Sequence, residues 1–241
     1  MFPTISIQSL NISACQLRDL ETLFLKVIRA KQHIKLATVN LNFLRLANTS
    51  SKFNSILNDM DYCLPDGWPI LALAKKRAFP ERVTGSDLTQ KLLKWAPRHH
   101  WRLGIVGGSR DVKEKLKKTC QEVDSEIEIE HWTPNYPSLS KLKDPDLSKK
   151  IRLAAPDILL VALGAPKQEY WIAENFSDTN AFVAIGVGAS IDFIVGKKKR
   201  APEFWQKHNM EFVYRFLHEP KRLGKRYLKD FLFYLSLKLQ P

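Results

Sequence analysis

Short apolar runs alternate with amphipathic segments along most of this sequence, and the alternation limits the folds that the chain can adopt. Runs in which nearly every residue is apolar indicate strands covered on both faces, as in a parallel sheet. The expected strands are Ile5–Ile7, Ile34–Val39, Trp101–Val106, Ile127–Glu130, Ile158–Ala162 and Ala181–Ile185. Apolar residues at helical spacing predict helices over residues 16–31, 68–77, 87–96, 109–122, 147–154 and 166–174. We therefore predict an α/β fold with a Rossmann-like parallel sheet flanked by helices.

Length and composition fit one folded α/β unit with a small addition. The chain has 241 residues, of which 44% are hydrophobic and 26% charged, so a second full domain is not expected. No uncharged apolar stretch approaches the roughly 20 residues needed to cross a bilayer, and the first residues lack a signal-peptide pattern. We expect a cytoplasmic protein. Cys15, Cys63 and Cys120 are odd in number and widely spaced, which favours neither a disulfide framework nor a zinc site.

Positive charge is concentrated near the C-terminal end. The formal net charge is +13, and residues 195–241 contain twelve Lys and Arg against four Asp and Glu. Such an excess predicts an anionic partner, which is nucleic acid, acidic lipid or a phosphorylated substrate. We divide the chain into a Rossmann-like catalytic core, residues 1–195, and a basic helical appendage, residues 196–241.

The last part of the appendage is predicted to be one amphipathic helix from Glu219 onward. One half of it carries Leu223, Tyr227, Leu228, Phe231, Leu232 and Leu235, and the other carries Arg222, Lys225, Arg226 and Lys229. A basic face opposite an apolar and aromatic face is typical of a helix lying on an anionic membrane. The apolar face could instead dock on the core or be buried in a homo-oligomer. Nucleic acid is not expected as a partner, because the basic residues gather at one end rather than along a groove.

An acidic residue follows an apolar segment at a predicted strand end. Asp66 lies in the turn Pro65-Asp66-Gly67, directly after Tyr62-Cys63-Leu64. In parallel sheets, ligands bind beyond the carboxyl ends of the strands. Asp66 can therefore serve as a general base for an acceptor hydroxyl, or it can merely satisfy its own turn.

Other polar and small residues also stand in segments that could contact a ligand. Arg82 precedes a segment in which Ser86 or Asp87 could cap a helix beginning near Leu88, and an arginine beside a helix N-terminus suits a phosphate. Small residues over 104–109 and 186–190 either admit a ligand close to the backbone or only form tight turns. The glycines concerned are Gly107, Gly186 and Gly188.

Metal-ligand motifs are absent from the sequence, and the six His are scattered. We expect no bound metal and no other cofactor. The negative charge of a phosphorylated ligand would then be neutralised by arginines, lysines and helix dipoles.

Seven motifs occur in a characteristic order. They are Thr38-Val39-Asn40, Leu64-Pro65-Asp66-Gly67, Arg82-Val83-Thr84-Gly85-Ser86-Asp87-Leu88, the segment 160–169 ending in Gly164-Ala165-Pro166-Lys167-Gln168-Glu169, Gly186-Val187-Gly188, Lys199-Arg200-Ala201-Pro202, and Tyr214-Arg215 with Glu219-Pro220-Lys221-Arg222. In this order, over roughly residues 35–230, the sequence resembles the WecG/TagA/CpsF glycosyltransferase family. A departure is the segment 131–137, His-Trp-Thr-Pro-Asn-Tyr-Pro, which replaces a more usual Gly-Tyr-Phe-like loop.

The resemblance implies an inverting, metal-independent glycosyltransferase that acts at the inner face of the plasma membrane. It would move a sugar, N-acetylmannosamine-type or another hexose, from a UDP-sugar to an undecaprenyl-diphosphate-linked saccharide in cell-surface polysaccharide, teichoic acid or exopolysaccharide synthesis. Asp66 matches the proposed base, and Thr38, Asn40, Arg82 and Gln168 match residues of the substrate pocket. Arg215 and Arg222 match arginines of an appendage that binds the diphosphate, with Lys225 or Arg226 in the later arginine position.

Two alternative functions remain beside this prediction. One is a catalytically silent protein that binds a sugar nucleotide and scaffolds a polysaccharide synthase complex. The other is a basic nucleic-acid-binding protein. The joint presence of Asp66, Arg82 and Gln168 favours the enzyme.

Overall fold

The computed structural model describes residues 2–74, 79–108, 112–124, 126–208 and 210–239. Its strands are β1 (Thr4–Ile7), β2 (Leu10–Ser13), β3 (Ile34–Val39), β4 (Tyr62–Pro65), β5 (Leu103–Gly107), β6 (Ile129–Trp132), β7 (Ile158–Ala162) and β8 (Val183–Gly186). Its helices are α1 (Leu17–Arg29), α2 (Leu41–Thr49), α3 (Ser51–Asn58), α4 (Trp68–Leu73), α5 (Gly85–His99), α6 (Val112–Val123), α7 (Pro145–Ala154), α8 (Lys167–Asn175), α9 (Ser190–Ile194), α10 (Glu203–Lys207), α11 (Glu211–His218) and α12 (Pro220–Leu239).

Six of the strands form one sheet in the order β4-β3-β8-β7-β5-β6. Every neighbouring pair in it is parallel. Parallel neighbours need crossover connections, and the helices between the strands supply them. The predicted Rossmann-like α/β fold is confirmed.

Both faces of this sheet are covered. Successive residues of a strand point to opposite sides, so neighbouring residues pack in different cores. On one face Leu160 packs in a core with Phe24 of α1 and Leu92 of α5. On the other face Val161 packs in a core with Trp171 of α8. All five side chains are fully buried. Burial of a side chain of this size contributes about 2 kcal/mol, so the two cores hold the sheet edge in a fixed place.

The first strand differs from the prediction. Ile5–Ile7 lies within β1, but β1 pairs antiparallel with β2 in a separate hairpin, with Ile5 opposite Ile12. The sequence reading missed β2, which buries Leu10 and Ile12. One buried and one open face is the normal condition of an antiparallel pair, and it gives an alternating pattern rather than a continuous apolar run.

The start of α5 also differs from the prediction. The helix begins at Gly85 and its N-cap is Thr84, so the expectation that Ser86 or Asp87 caps it near Leu88 is wrong. Thr84 Oγ1 accepts from the Asp87 N–H (3.0 Å) and donates to Asp87 Oδ2 (2.7 Å). Asp87 therefore completes the cap from inside the first turn.

Several other boundaries differ from the prediction, and helices α2, α3 and α9 were not predicted. Helices α2 and α3 begin after Asn40 and Ser50, whose side chains each accept a hydrogen bond from a backbone N–H of the helix they cap. The helix predicted over residues 68–77 ends at Leu73, and residues 75–77 lie outside the described residues. The helix predicted over residues 109–122 begins at Val112, and residues 109–111 likewise lie outside them.

The helix predicted from Glu219 is present as α12, but it is rotated relative to the two predicted faces. Leu223 and Asp230 face the protein, with exposures of 2% and 7%. Leu228, Phe231 and Leu232 are each more than half exposed. The reason is that Asp230 pairs with Arg45 of α2 (2.7 Å) and so fixes which side of α12 faces inward. None of the described helices combines the length and the apolar character that a bilayer crossing requires.

Candidate active site

A cavity of about 890 Å³ opens at the carboxyl edge of the parallel sheet. The loops after β3, β4, β7 and β8 line it, together with the first residues of α5. Residues of α11 and α12 form a further wall. All six strands run in one direction, so segments that are distant in sequence meet at this edge.

Asp66 enters the cavity from the turn between β4 and α4. Its N–H donates to the Val39 carbonyl (2.8 Å), which ties the turn to the end of β3. Gly67 has φ of +98°, a conformation that glycine adopts without steric penalty. The Asp66 carboxylate forms no hydrogen bond within the described part of the chain. It is positioned by its backbone and left available to a ligand.

Four charged side chains surround Asp66 and influence its proton affinity. Burial raises the pKa of Asp66 to about 7, against the lowering effect of Arg215 and Arg82 and with the raising effect of Glu211 and Asp87. A carboxyl group whose pKa lies near the working pH is suited to general acid–base catalysis.

Glu211 joins an arginine of the core to an arginine of α11. Arg215 Nη2 donates to Glu211 Oε1 (2.6 Å), and Arg82 Nη1 lies 4.0 Å from Glu211 Oε2. Arg215 also lies over the ring of Phe193, 4.9 Å from its centre. The sequence reading missed Glu211. Its spacing of four residues from Arg215 on one helix was the only available signal.

Gln168 lies at the base of the cavity and holds the loop that follows β8. Gln168 Oε1 accepts from the Gly188 N–H (2.9 Å), and Gln168 Nε2 donates to Glu169 Oε1 (2.6 Å). Thr38 Oγ1 donates to the Gly186 carbonyl (3.0 Å). Thr38, Gln168 and Gly188 line the cavity, whereas Gly186, which was predicted to contact a ligand, does not.

Asn40 and Gly107 have different positions relative to the cavity. Asn40 lines it and caps α2, because its Oδ1 accepts from the Asn42 N–H (3.1 Å). Gly107 does not line it. The Gly107 carbonyl accepts from His131 Nε2 (2.7 Å), and a Cβ at this position would lie 2.7 Å from the backbone of Ala162. The neighbouring Gly108 lines the cavity instead.

The basic residues of α12 divide between the cavity and solvent. Arg222 and Arg226 line the cavity, as does Arg215 of α11. Arg222 pairs with Glu219, and the Arg226 guanidinium lies over the ring of Tyr227, 5.0 Å from its centre. Lys225 is exposed and does not line the cavity. Of the two candidates for the later basic position, only Arg226 faces the site.

Aromatic rings connect the Asp66 turn to the two C-terminal helices. The ring centre of Trp68 lies 6.2 Å from that of Phe212 and 5.4 Å from that of Tyr234. The ring centres of Phe212 and Tyr227 are 6.5 Å apart. All four residues line the cavity, and sequence reasoning identified none of them as part of the site.

Within the described part of the chain, neither a group of metal-ligating side chains nor a reactive thiol is found. No group of three or more His, Cys, Asp and Glu residues there could hold a metal ion. Burial raises the pKa of Cys15 and of Cys63 to about 12, so both thiols stay protonated near neutral pH. The side chain of Cys120 lies outside the described residues.

The cavity combines a carboxyl group whose pKa is near 7 with several arginines, at the carboxyl edge of a Rossmann-like sheet. Such a site is suited to group transfer from a phosphorylated substrate. A family model described as "Glycosyl transferase WecG/TagA/CpsF family" matches residues 5–240. The chain belongs to this family and is a glycosyltransferase, as the sequence motifs predicted.

Curated relatives agree with this family assignment. An N-acetylglucosaminyldiphosphoundecaprenol N-acetyl-β-D-mannosaminyltransferase of Staphylococcus aureus strain MW2 is 29% identical over 199 residues, which cover 82% of this chain and 77% of the relative. Proteins with the same name from strains NCTC 8325 and COL match with the same identity and coverage.

Proposed function

We propose that this glycosyltransferase moves N-acetylmannosamine, with inversion, from a UDP-sugar to an N-acetylglucosamine carried on undecaprenyl diphosphate. The names of the curated relatives support both the sugar and the acceptor. The cavity volume of about 890 Å³ is compatible with a nucleotide-sugar, because small-molecule sites measure roughly 300–1,000 Å³. The reaction serves the synthesis of a cell-surface polymer.

In this mechanism Asp66 is the general base. Its ionised carboxylate takes the proton of the acceptor hydroxyl as the hydroxyl oxygen attacks the anomeric carbon. The bond from that carbon to the UDP oxygen breaks on the opposite side, and UDP leaves with the electron pair. Attack opposite the leaving group inverts the anomeric configuration, and the fixed turn around Gly67 supplies the required alignment.

The arginines of the cavity supply positive charge to the diphosphates. Arg82 comes from the core, whereas Arg215, Arg222 and Arg226 come from the two C-terminal helices. Fixed cations stabilise the negative charge that develops on a leaving diphosphate, without any change in their own positions. We assign Arg82 and Arg215 to the diphosphate that lies nearest Asp66, because these two arginines lower the pKa of Asp66.

One observation carries this proposal: Asp66, Arg82 and Arg215 line the same cavity, although Arg215 is far from the other two in sequence. The test is release of UDP from UDP-N-acetylmannosamine, measured with and without a synthetic polyprenyl-diphosphate N-acetylglucosamine. We expect release to depend on the acceptor, and Asp66→Asn to lower turnover by about 10²–10⁴-fold while the dissociation constant for UDP stays nearly unchanged.

A matched control is Asp146→Asn, which alters an exposed aspartate on α7 and should leave turnover unchanged. Wild-type turnover in Asp66→Asn would remove Asp66 as the base. A panel of other UDP-sugars tests the donor separately, since a faster rate with another sugar would replace N-acetylmannosamine but keep the reaction class.

The C-terminal helices also support peripheral attachment to an anionic membrane. Leu228, Phe231, Leu232 and Leu235 of α12 form an exposed apolar strip. Lys221, Lys225 and Lys229 are exposed on the same helix. Apolar side chains that enter a lipid surface, with lysines that attract its negative charge, are typical of an interfacial helix. In this proposal the appendage, residues 196–241, both closes the active site and contacts the membrane that carries the acceptor.

Flotation with anionic vesicles tests the attachment. We expect the protein to bind vesicles containing phosphatidylglycerol and to lose binding when Phe231 and Leu232 are both replaced by Glu. Leu153→Glu is the control, because Leu153 is 77% exposed on α7, outside the apolar strip. A dimer that the double substitution dissociates, without vesicle binding by the wild type, would instead assign the strip to a homo-oligomer interface.

A further inference from the structure

Glu169 is a completely buried carboxyl group directly behind the cavity, and the proposed reaction does not use it. It lies in the first turn of α8, next to Gln168. Its Oε1 accepts the hydrogen bond from Gln168 Nε2 (2.6 Å). Its Oε2 is buried and has no hydrogen-bond partner within the described part of the chain. A buried polar group of this kind costs stability, so a functional reason for it is worth seeking.

The two neighbouring side chains cross the backbone of β8 at Gly186. A Cβ at position 186 would lie 2.6 Å from Gln168 Nε2 and 2.7 Å from Glu169 Oε1. These distances are shorter than nonbonded contact allows, so only glycine leaves room for the pair. The Gln168–Glu169 pair therefore lies against the strand end that leads into the cavity loop.

The hydrogen bonds fix which way the Gln168 amide points. Its Oε1 must be the atom that faces the Gly188 N–H, because that N–H is a donor. Its Nε2 then faces Glu169 Oε1, which must be an acceptor. The acceptor requirement places any proton of Glu169 on Oε2. A neutral Glu169 thus holds the amide in one orientation without placing a charge in the core.

We propose that Glu169, as a neutral acid, is a positioning residue that fixes the Gln168 amide and through it the Gly186–Gly188 loop of the active site. The proposal rests on the proposed function, because that loop lines the cavity assigned to the substrates. Glu169 itself does not line the cavity, so it acts through Gln168 and not on the substrate.

The buried surroundings of Glu169 favour its protonated form. Burial raises the pKa of Glu169 to about 8, although its hydrogen bonds with Gln168 and with its own backbone lower it. The Cys63 thiol of β4 interacts electrostatically with Glu169 but is itself protonated, because burial raises its pKa to about 12. Gly186 of β8, which lies against Glu169, has no side chain. No charged side chain of the described residues contributes to the pKa of Glu169. Ionisation above about pH 8 therefore introduces an uncompensated charge behind the loop.

Two substitutions separate positioning from simple packing. Glu169→Gln keeps an oxygen acceptor for Gln168 Nε2 and puts an uncharged amide in place of the acid. Glu169→Leu has a similar size and fills the space, but it leaves Gln168 Nε2 without its acceptor. We expect Glu169→Gln to retain most of the wild-type kcat/KM at pH 7, and Glu169→Leu to lose about tenfold or more, which is the loss of about one hydrogen bond.

The pH profile gives a readout that packing alone does not move. Wild-type turnover should fall above about pH 8 as Glu169 ionises, and this alkaline decrease should be absent in Glu169→Gln. An equal alkaline decrease in Glu169→Gln would overturn the proposal, and so would full activity of Glu169→Leu.

Amide hydrogen exchange at Gly188 tests the same link without substrate. The Gly188 N–H should be protected in the wild type and in Glu169→Gln, and should exchange at least about tenfold faster in Glu169→Leu. Unchanged Gly188 exchange in folded Glu169→Leu would contradict the positioning role. If the wild type transfers no sugar, the proposed function fails, while the exchange experiment still decides whether Glu169 holds the loop.

Discussion

Asp230 of α12 and Arg45 of α2 form an ion pair of 2.7 Å between residues that lie 185 positions apart in the chain. Arg45 also donates from Nη2 to Asn42 Oδ1 (2.7 Å), so both ends of its guanidinium are held. The side chains of Arg45 and Asp230 are only 18% and 10% exposed. This contact fastens the C-terminal wall of the cavity to the Rossmann-like core.

Loss of one partner of this pair should detach α12. In Asp230→Ala the Arg45 charge remains buried without its carboxylate, and breaking a buried pair costs about 3–5 kcal/mol. We expect turnover to fall by at least tenfold and trypsin to cleave α12 much faster, while the melting temperature of the core changes little. Limited proteolysis with mass spectrometry measures the detachment.

Asp59→Ala serves as the control for this experiment. It removes an ion pair with Lys35, but the Asp59 side chain is 72% exposed. An exposed pair contributes about 0–1 kcal/mol, so proteolysis and turnover should stay near wild type. Equal protease resistance of α12 in Asp230→Ala and wild type would show that the pair does not fasten the helix.

Turnover should rise with pH through about 7, because the proposed base, Asp66, can accept a proton only when it is ionised. Glu211 raises the pKa of Asp66, so Glu211→Gln should move this rise to lower pH. The pH dependence of kcat/KM measures the shift. If Glu211→Gln is inactive, its dissociation constant for UDP is measured instead. An unchanged constant would show that Arg82 and Arg215 have kept their positions.

Glu174→Gln is the matched control for the pH profile. Glu174 lies at the far end of α8 from Gln168 and does not line the cavity. Its removal should leave the rise with pH in place. A Glu211→Gln profile that coincides with the wild type would contradict the electrostatic link between Glu211 and Asp66.

Arg226 and Lys225 form a natural pair for testing the diphosphate site. Arg226 lines the cavity and Lys225 is exposed, although the two are adjacent in sequence. A hydrogen bond to a charged group contributes about 1.5–3 kcal/mol, so Arg226→Ala should raise the KM for the acceptor about 10–100-fold. Lys225→Ala should change it little in detergent and weaken vesicle binding in a salt-dependent manner. Equal effects of the two substitutions on KM would remove Arg226 from the proposed site.

Gly186 should tolerate no side chain. A Cβ there meets Gln168 Nε2 at 2.6 Å and Glu169 Oε1 at 2.7 Å, and such overpacking costs about 1–3 kcal/mol. Gly186→Ala should therefore melt at a lower temperature and transfer sugar poorly. Gly224→Ala is the control for melting, because its Cβ meets Phe216 at an ordinary 3.6 Å. In helix α12 that change should stabilise by up to about 1 kcal/mol. Equal melting temperatures for Gly186→Ala and wild type would mean that the Gln168 and Glu169 side chains can move away from the new methyl group without loss of stability.

The sequence was sufficient to predict the elements whose pattern is local and continuous. The buried strands β5, β7 and β8 consist of apolar residues and glycine because both of their faces are covered. The hairpin strand β2 was missed, because Asn11 interrupts its apolar residues and only one face is buried. Helix α5 was predicted too short, because its first turn consists of small polar residues that resemble a loop.

Some site residues were likewise predictable from a local pattern, and others were not. Asp66 was predictable because it follows an apolar segment at a known edge of the sheet, and both Asp66 and Arg82 stand in specific motifs. Glu211 and Asp230 were not, since each is a lone acid in a basic segment, and its meaning depends on an arginine that is distant in sequence or one turn away. Gly107 was predicted for its motif, although Gly108 is the residue that reaches the cavity. A one-residue difference of this kind depends on how the strand ends, and spacing alone does not reveal it.

Helix α12 carries both Arg226, which lines the cavity, and Leu232, which is more than half exposed and does not line it. An α-helix is about 10–12 Å across with its side chains. A lipid surface that receives Leu232, as proposed above, would therefore lie about one helix width from the Arg226 guanidinium. Under the proposed membrane attachment, the width of helix α12 would set how far a lipid-borne diphosphate has to move out of the bilayer to reach Arg226.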